Sequence, residues 1–228
     1  STGGVDTNAG RAGDPADIYE NDGKFINTKG EVDEPCGTIN TIIIMNKELT
    51  HGAMVMSLVT ASEAKAAALQ ELAINSRYSC GLATGTGTDQ VGIASRITGE
   101  IPLTSAGKHT KLGELIGATV KKSIKNTLAL QDSLTPQSQR SAKIHIERFG
   151  IDKKSMIEKI CSFLNEEKSN LLEKNFVTIN SDSVTVAATS ALVHLRDKID
   201  WGILPENCIP EIFSSYGAQL SASISGKF

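Results

Sequence analysis

The feature that most constrains this chain is the alternation of β-branched runs with long helix-forming runs. "GTINTIIIMN", residues 37–46, is rich in Ile and Thr and reads as a buried strand. Residues 49–74, "LTHGAMVMSLVTASEAKAAALQELAI", are helix-forming, with Thr50 as the expected N-cap. "CGLATGTGTDQVGIASRI", residues 80–97, reads as strand, tight threonine-glycine segment, strand. Residues 110–131 then place Leu112, Leu115, Ile116, Val120 and Ile124 on one helical face, with Thr110 as cap. Strands alternating with long helices predict an α/β or α+β layered sandwich, a mixed sheet packed by long helices.

The character changes after residue 130. "DSLTPQSQRSAK" is a polar, proline-containing connection. Residues 153–174 read as one charged amphipathic helix. Residues 181–199 read as another, with a Val/Thr opening that suits strand as well. The expected division is a core over residues 1–130 and an α-rich extension over residues 131–228.

Composition narrows the function classes. The net charge of −3 argues against an electrostatic nucleic-acid binder. No apolar run approaches the roughly 20 residues of a membrane span, and no signal peptide is evident, so a cytoplasmic location is expected. Cys36, Cys80, Cys161 and Cys208 are widely spaced and form no CxxC pair. They read as buried reduced thiols. His51, His145 and His194 have no metal-binding spacing. There is no P-loop, GxGxxG, GxSxG or HExxH motif.

The chemistry concentrates in "ATGTGTDQVGIAS", residues 83–95. Thr84, Thr86 and Thr88 alternate, so in an extended chain they share one face. Gly85 and Gly87 between them allow close approach of a ligand or a second backbone. A hydroxyl is a poor nucleophile until a base activates it, and Asp89 could act as that base or orient a threonine. A turn whose threonines bond their own backbone is the structural alternative.

Further candidates lie outside this loop. Asn8, Arg11 and Asp14 in "TNAGRAGDP" could bind a polar substrate or form a solvated turn. Asn40 interrupts an apolar strand and needs a hydrogen-bond partner if buried. Glu63 and Lys65, two residues apart on a helix, do not face each other, so a solvated helix surface is their simplest role. His109 precedes a helix start, where backbone N–H groups can bind an anion.

Four ordered blocks, "TGGVDTNAGRAGDP", "GTINTIIIMNKELTHGAMVMSLVTASEAKAAALQEL", "ATGTGTDQVGIAS" and "HTKLGELIGATV", resemble the adenosylcobinamide amidohydrolase family over roughly residues 1–130. The spacing departs from the family at Asp6-Thr7, which adds a residue before Asn8. The resemblance implies hydrolysis of the amide joining the aminopropanol arm to the corrin ring. The product is adenosylcobyric acid, in corrinoid salvage and remodelling. It implies that Thr84, Gly85, Thr86, Thr88, Asp89, Asn8, Asn40, Glu63 and Lys65 gather around a corrinoid substrate, with no required metal or other cofactor; His109 is a further substrate-binding candidate from its place before the helix. Thr86, Thr88 and Asp89 are the expected catalytic groups.

Members of the family usually carry a substantial further segment, with strands of its own, ahead of the first block, and by that comparison a chain starting at Ser1 is expected to be missing part of its sheet. The resemblance therefore points to an upstream fragment or second subunit as partner, besides a homo-oligomer. Ser1 followed by Thr2 fits a processed amidase whose N-terminal hydroxyl is the nucleophile and whose α-amine is the base. The alternatives are a non-catalytic corrinoid-binding protein, and an assembly role for residues 131–228.

Overall fold

The computed structural model describes residues 1–5, 7–28 and 37–225. It resolves into two compact units, Ser1–Gln139 and Arg140–Phe228. The first has an α+β fold.

Its centre is a mixed three-stranded sheet in the order β1-β5-β7. The chain contributes β1 (Thr2–Gly3), β5 (Ile39–Met45) and β7 (Gln90–Ser95) to it. β5 and β7 run parallel, with Asn40 opposite Gln90 and Met45 opposite Ser95. β1 pairs antiparallel to β5, with Thr2 opposite Asn40. A parallel pair needs a crossover, and helix α1 (His51–Glu71) supplies it. Helix α2 (Lys111–Gln131) follows β7. The two helices pack on each other and on the sheet, α1 against β7 and α2 against β1 and β5.

Both expected caps are present. The Thr50 hydroxyl accepts the Ala53 N–H, and the Thr110 hydroxyl accepts the Gly113 N–H. The core combines Ile39 and Met45 of β5, Ala61, Ala68 and Leu69 of α1, and Ile116, Val120, Ile124 and Leu128 of α2. Small residues on α1 let the helices approach closely.

Several expectations change. Residues 37–46 are not a buried strand. β5 buries Ile39, Thr41 and Met45 but turns Asn40, Ile42 and Ile44 outward, with Ile42 73% and Ile44 80% exposed. Only one sheet face is covered by α1 and α2, so the strand period of two decides burial here, not the apolar run. Leu115 does not join the buried stripe of α2. It is exposed, because the stripe runs through Gly113, Ile116, Val120, Ile124 and Leu128. The thiols are not buried either: Cys80 is exposed, Cys161 and Cys208 are half-buried, and Cys36 lies outside the described residues.

Two small ribbons complete this unit. β2 (Ala9–Gly10) pairs antiparallel with β6 (Gly85–Thr86). β3 (Ile18–Asn21) and β4 (Lys24–Asn27) form an exposed hairpin.

The second unit is helical: α3 (Ala142–Glu147), α4 (Lys153–Cys161), α5 (Glu166–Ser181), α6 (Ser183–Asp200) and α7 (Ile209–Ser225). Residues 153–174 are therefore two helices rather than one. Asn165 stops the run by capping a new helix, accepting the Lys168 N–H at 2.9 Å, with Glu166 and Glu167 in its first turn. The Val/Thr opening of residues 181–199 is helical, capped by Asp182 on the Thr185 N–H. Arg148, the C-cap of α3, and Asp197 of α6 form a nearly desolvated ion pair at 2.7 Å. No single helix among the described residues is long and apolar enough to cross a membrane.

Gly113 shows how tightly the first unit closes. A Cβ there would lie 2.1 Å from the Gly107 carbonyl oxygen. In an open helix, Gly→Ala stabilises by about 0.5–1 kcal/mol. Here Gly113→Ala should instead destabilise by about 1–3 kcal/mol, as overpacking does. Urea unfolding will read the sign, and a stabilised variant would contradict the packing described.

Candidate functional site

The polar network of the first unit converges on Asp89. The turn from β6 to β7 brings residues 85–89 back on themselves beneath α1. Oδ1 of Asp89 accepts the Thr86 hydroxyl at 2.5 Å and the Ile39 N–H at 2.9 Å. Oδ2 accepts the Thr86 N–H at 2.9 Å and an ion pair from Lys65. An ionised carboxylate offers about four lone-pair sites, and all four are filled. The side chains are only 8% exposed for Asp89 and 15% for Lys65.

Gly85 is required by this packing. A Cβ there would sit 2.3 Å from Oδ2 of Asp89 and 2.9 Å from Nζ of Lys65. The glycine lets the carboxylate and the ammonium close over the backbone.

The "TNAGRAGDP" segment lies against the same turn. Through β2 and β6, Ala9 stands opposite Thr86 and Gly10 opposite Gly85. Asn8 is buried. Its Nδ2 donates to the Gly37 carbonyl at 2.9 Å, and its Oδ1 accepts the Tyr78 hydroxyl at 2.9 Å. The Thr88 hydroxyl also points at the Gly37 carbonyl, at 3.4 Å, while Thr38 Oγ1 donates to the Thr88 carbonyl at 2.9 Å. Thr84 Oγ1 accepts the Ala12 N–H at 2.8 Å. The three alternating threonines thus serve different partners: Thr84 the 8–14 segment, Thr86 the Asp89 carboxylate, Thr88 the 37–38 backbone.

Arg11 and Asp14 brace the segment. Arg11 Nη1 donates to the Leu82 carbonyl at 3.1 Å. Asp14 Oδ2 accepts the Ser76 hydroxyl at 2.5 Å and the Arg11 N–H at 2.7 Å. Burial alone would raise the Asp14 pKa. The Ser76 and Ser79 hydroxyls, with the Arg11 N–H and guanidinium, outweigh it and hold the carboxyl below its ordinary value.

The expected site residues therefore divide. Lys65, Gly85, Thr86 and Asp89 meet directly, with Asn8, Thr84 and Thr88 adjoining. Glu63 turns away from Lys65, lines a cavity of about 330 Å³ between α1 and α2, and pairs with Lys108. His109 is exposed on the loop before α2. Asn40 stands on the open sheet face in a row with Thr2 and Gln90. Ser1 is held between β5 and α2. Its α-amine donates to Ser123 at 2.9 Å, and its hydroxyl lies 3.1 Å from that of Thr41. Among the described residues, no three His, Cys, Asp or Glu side chains converge as a metal site.

Sequence reasoning missed Ser76, Tyr78 and the Ile39 N–H. Their only signal is the turn-rich "NSRYSC" run, which resembles any polar loop.

Two neighbours on one helix separate the roles of charge. Lys65→Met leaves Asp89 desolvated without its counter-charge, which should cost about 3–5 kcal/mol. Glu63→Gln, on the exposed pair, should change stability by less than about 1 kcal/mol. Denaturant midpoints of the two variants will compare them, and equal effects would contradict the burial of the Lys65–Asp89 pair.

Comparison with known proteins bears on what this site belongs to. An uncharacterised protein of Methanocaldococcus jannaschii is 41% identical over 139 residues, 59% of this chain and 54% of the relative. The chain thus spans about half the length of that relative. No solved structure matches. The model of the adenosylcobinamide amidohydrolase family matches residues 1–136, which hold every residue of the Asp89 network. The chain belongs to the adenosylcobinamide amidohydrolase family.

Proposed function

We propose that the protein hydrolyses the aminopropanol amide of adenosylcobinamide to adenosylcobyric acid, in corrinoid salvage and remodelling. The family supports an amidohydrolase. One observation carries the residue assignment: the Thr86 hydroxyl donates to Asp89 at 2.5 Å, while the other acceptor sites of Asp89 are occupied. While Thr86 carries its hydroxyl proton, Asp89 therefore has no further acceptor site and can act as base only toward Thr86.

In this scheme Thr86 Oγ1 attacks the amide carbonyl carbon as its proton passes to Asp89 Oδ1. The tetrahedral intermediate collapses, the C–N bond breaks, and the proton moves on to the departing amine. The acid is left as an ester on Thr86. Acylation removes the Thr86 O–H, which frees the Oδ1 site of Asp89. Water can then bind there, lose a proton to Oδ1 and attack the ester. The acid leaves, and Thr86 regains its proton. The sum is amide plus water to acid plus amine.

The Lys65 ammonium, paired with Oδ2, holds the Asp89 side chain in place while Oδ1 takes and returns the proton. Asn8 and Thr88 border the turn where the amide would lie. Thr86 is preferred to Ser1 because its hydroxyl bonds to a carboxylate, whereas Ser1 bonds to hydroxyls. The scheme draws on no metal, and the corrinoid enters only as substrate.

The saturation of Asp89 also favours a second reading, in which the network is a clasp that shapes a corrinoid-binding surface without hydrolysis. Incubation with adenosylcobinamide, followed by mass spectrometry, separates the two. The amidohydrolase reading expects free aminopropanol and adenosylcobyric acid. Retention of the intact corrinoid by the protein with neither product would sink it in favour of binding.

A further inference from the structure

Tyr78 was not singled out by its sequence surroundings, yet it sits at the end of a directed hydrogen-bond chain. Asp14 accepts from Ser76 Oγ. Ser76 Oγ accepts the Tyr78 N–H at 3.0 Å, and the Ser76 N–H donates to the Gly81 carbonyl at 2.9 Å, which closes the loop. The Tyr78 ring lies beside Gly10, where a Cβ would already touch it at 3.4 Å. From this anchored position the hydroxyl donates to Asn8 Oδ1. The side chain of Tyr78 is otherwise 44% exposed, so its ring is not a core group.

The Asn8 carboxamide is thus gripped at both ends, by Tyr78 at Oδ1 and by the Gly37 carbonyl at Nδ2. The reverse orientation would set two acceptor oxygens against each other at Gly37, so the network admits one orientation of the amide. The β2–β6 register puts Asn8 opposite Gly87, next to Thr86. A Cβ on Gly87 would meet the Asn8 amide at 3.7 Å (Oδ1) and 4.0 Å (Nδ2), with no nearer atom. One Nδ2 proton is taken by Gly37. The other is left to donate.

We infer that Tyr78 is a positioning residue: its hydroxyl fixes the Asn8 carboxamide so that the second Nδ2–H is presented to the oxygen of an amide substrate beside Gly87. The catalytic part of this assignment rests on the amide-hydrolysis reading. A donor held this way strengthens as the carbonyl oxygen gains charge, so its effect falls on the chemical step rather than on binding.

The test is Tyr78→Phe, which keeps the ring and removes only the hydroxyl, read in two ways. In ligand-free protein, the Asn8 side-chain NH₂ signals, assigned by their loss in Asn8→Ala, should shift and exchange faster with solvent in Tyr78→Phe. With adenosylcobinamide, kcat should fall about 10- to 100-fold, the loss typical when the hydrogen-bond partner that orients a metal-binding side chain is removed, with KM within about twofold. The double variant Asn8→Ala/Tyr78→Phe should be no slower than Asn8→Ala alone, because residues acting as one unit are not additive.

Unchanged Asn8 signals would overturn the assignment whatever the activity. An unchanged kcat, or additive losses in the double variant, would overturn its catalytic part. Absence of aminopropanol release by the unmutated protein would instead remove the amide-hydrolysis reading, with the Asn8 signals still deciding whether Tyr78 holds the carboxamide.

Discussion

The Asp89 carboxylate is the interaction on which the first unit's site depends. It ties together three parts of the chain that have no local reason to meet. Lys65 comes from α1, the Ile39 N–H from the start of β5, and Thr86 from the turn itself. A carboxylate this enclosed survives only if its charge is balanced and its lone pairs are used. The fold meets both demands, and does so by excluding a side chain at Gly85. A carboxylate held in this way is a rigid acceptor for the Thr86 hydroxyl.

The site lies at the starts of the parallel strands β5 and β7, near Ile39 and Asp89, not beyond their carboxyl ends, where open parallel sheets usually bind ligands. The placement follows from the short ribbon of β2 and β6. It brings the 8–14 segment against the Thr86 turn and so builds a polar wall at that edge. Behind the wall, Asp14, Ser76 and Tyr78 extend the network away from Asp89 and brace Asn8. The helices contribute less chemistry than support: α1 delivers Lys65, and α2 closes the core through Ile116, Val120, Ile124 and Leu128.

Much of the scaffold was legible because it is encoded locally. Thr50 and Thr110 cap the helices they were expected to cap, since an N-cap is set by a few adjacent residues. That Asp89 could orient a threonine hydroxyl was legible in the threonine-glycine-aspartate segment, because Thr86 and Asp89 are only three residues apart. What the sequence hid was long-range. Nothing in residues 63–65 tells that Lys65 meets a carboxylate 24 residues on while Glu63 faces another loop. Ile42 and Ile44 look like core in a β-branched run, but burial depends on which sheet face the helices cover. The helix break before Asn165 was hidden because charged, helix-forming text flanks it on both sides, and one capping residue inside the run starts a new helix.

The role of the Thr86 hydroxyl is tested by the turnover of adenosylcobinamide by Thr86→Val and Thr86→Ser, each with unfolding midpoints close to the unmutated protein. Valine, which keeps the shape and loses the hydroxyl, is expected to abolish aminopropanol release, while serine retains it. Release by Thr86→Val at the unmutated rate would show that the hydroxyl on Asp89 takes no part in the chemistry.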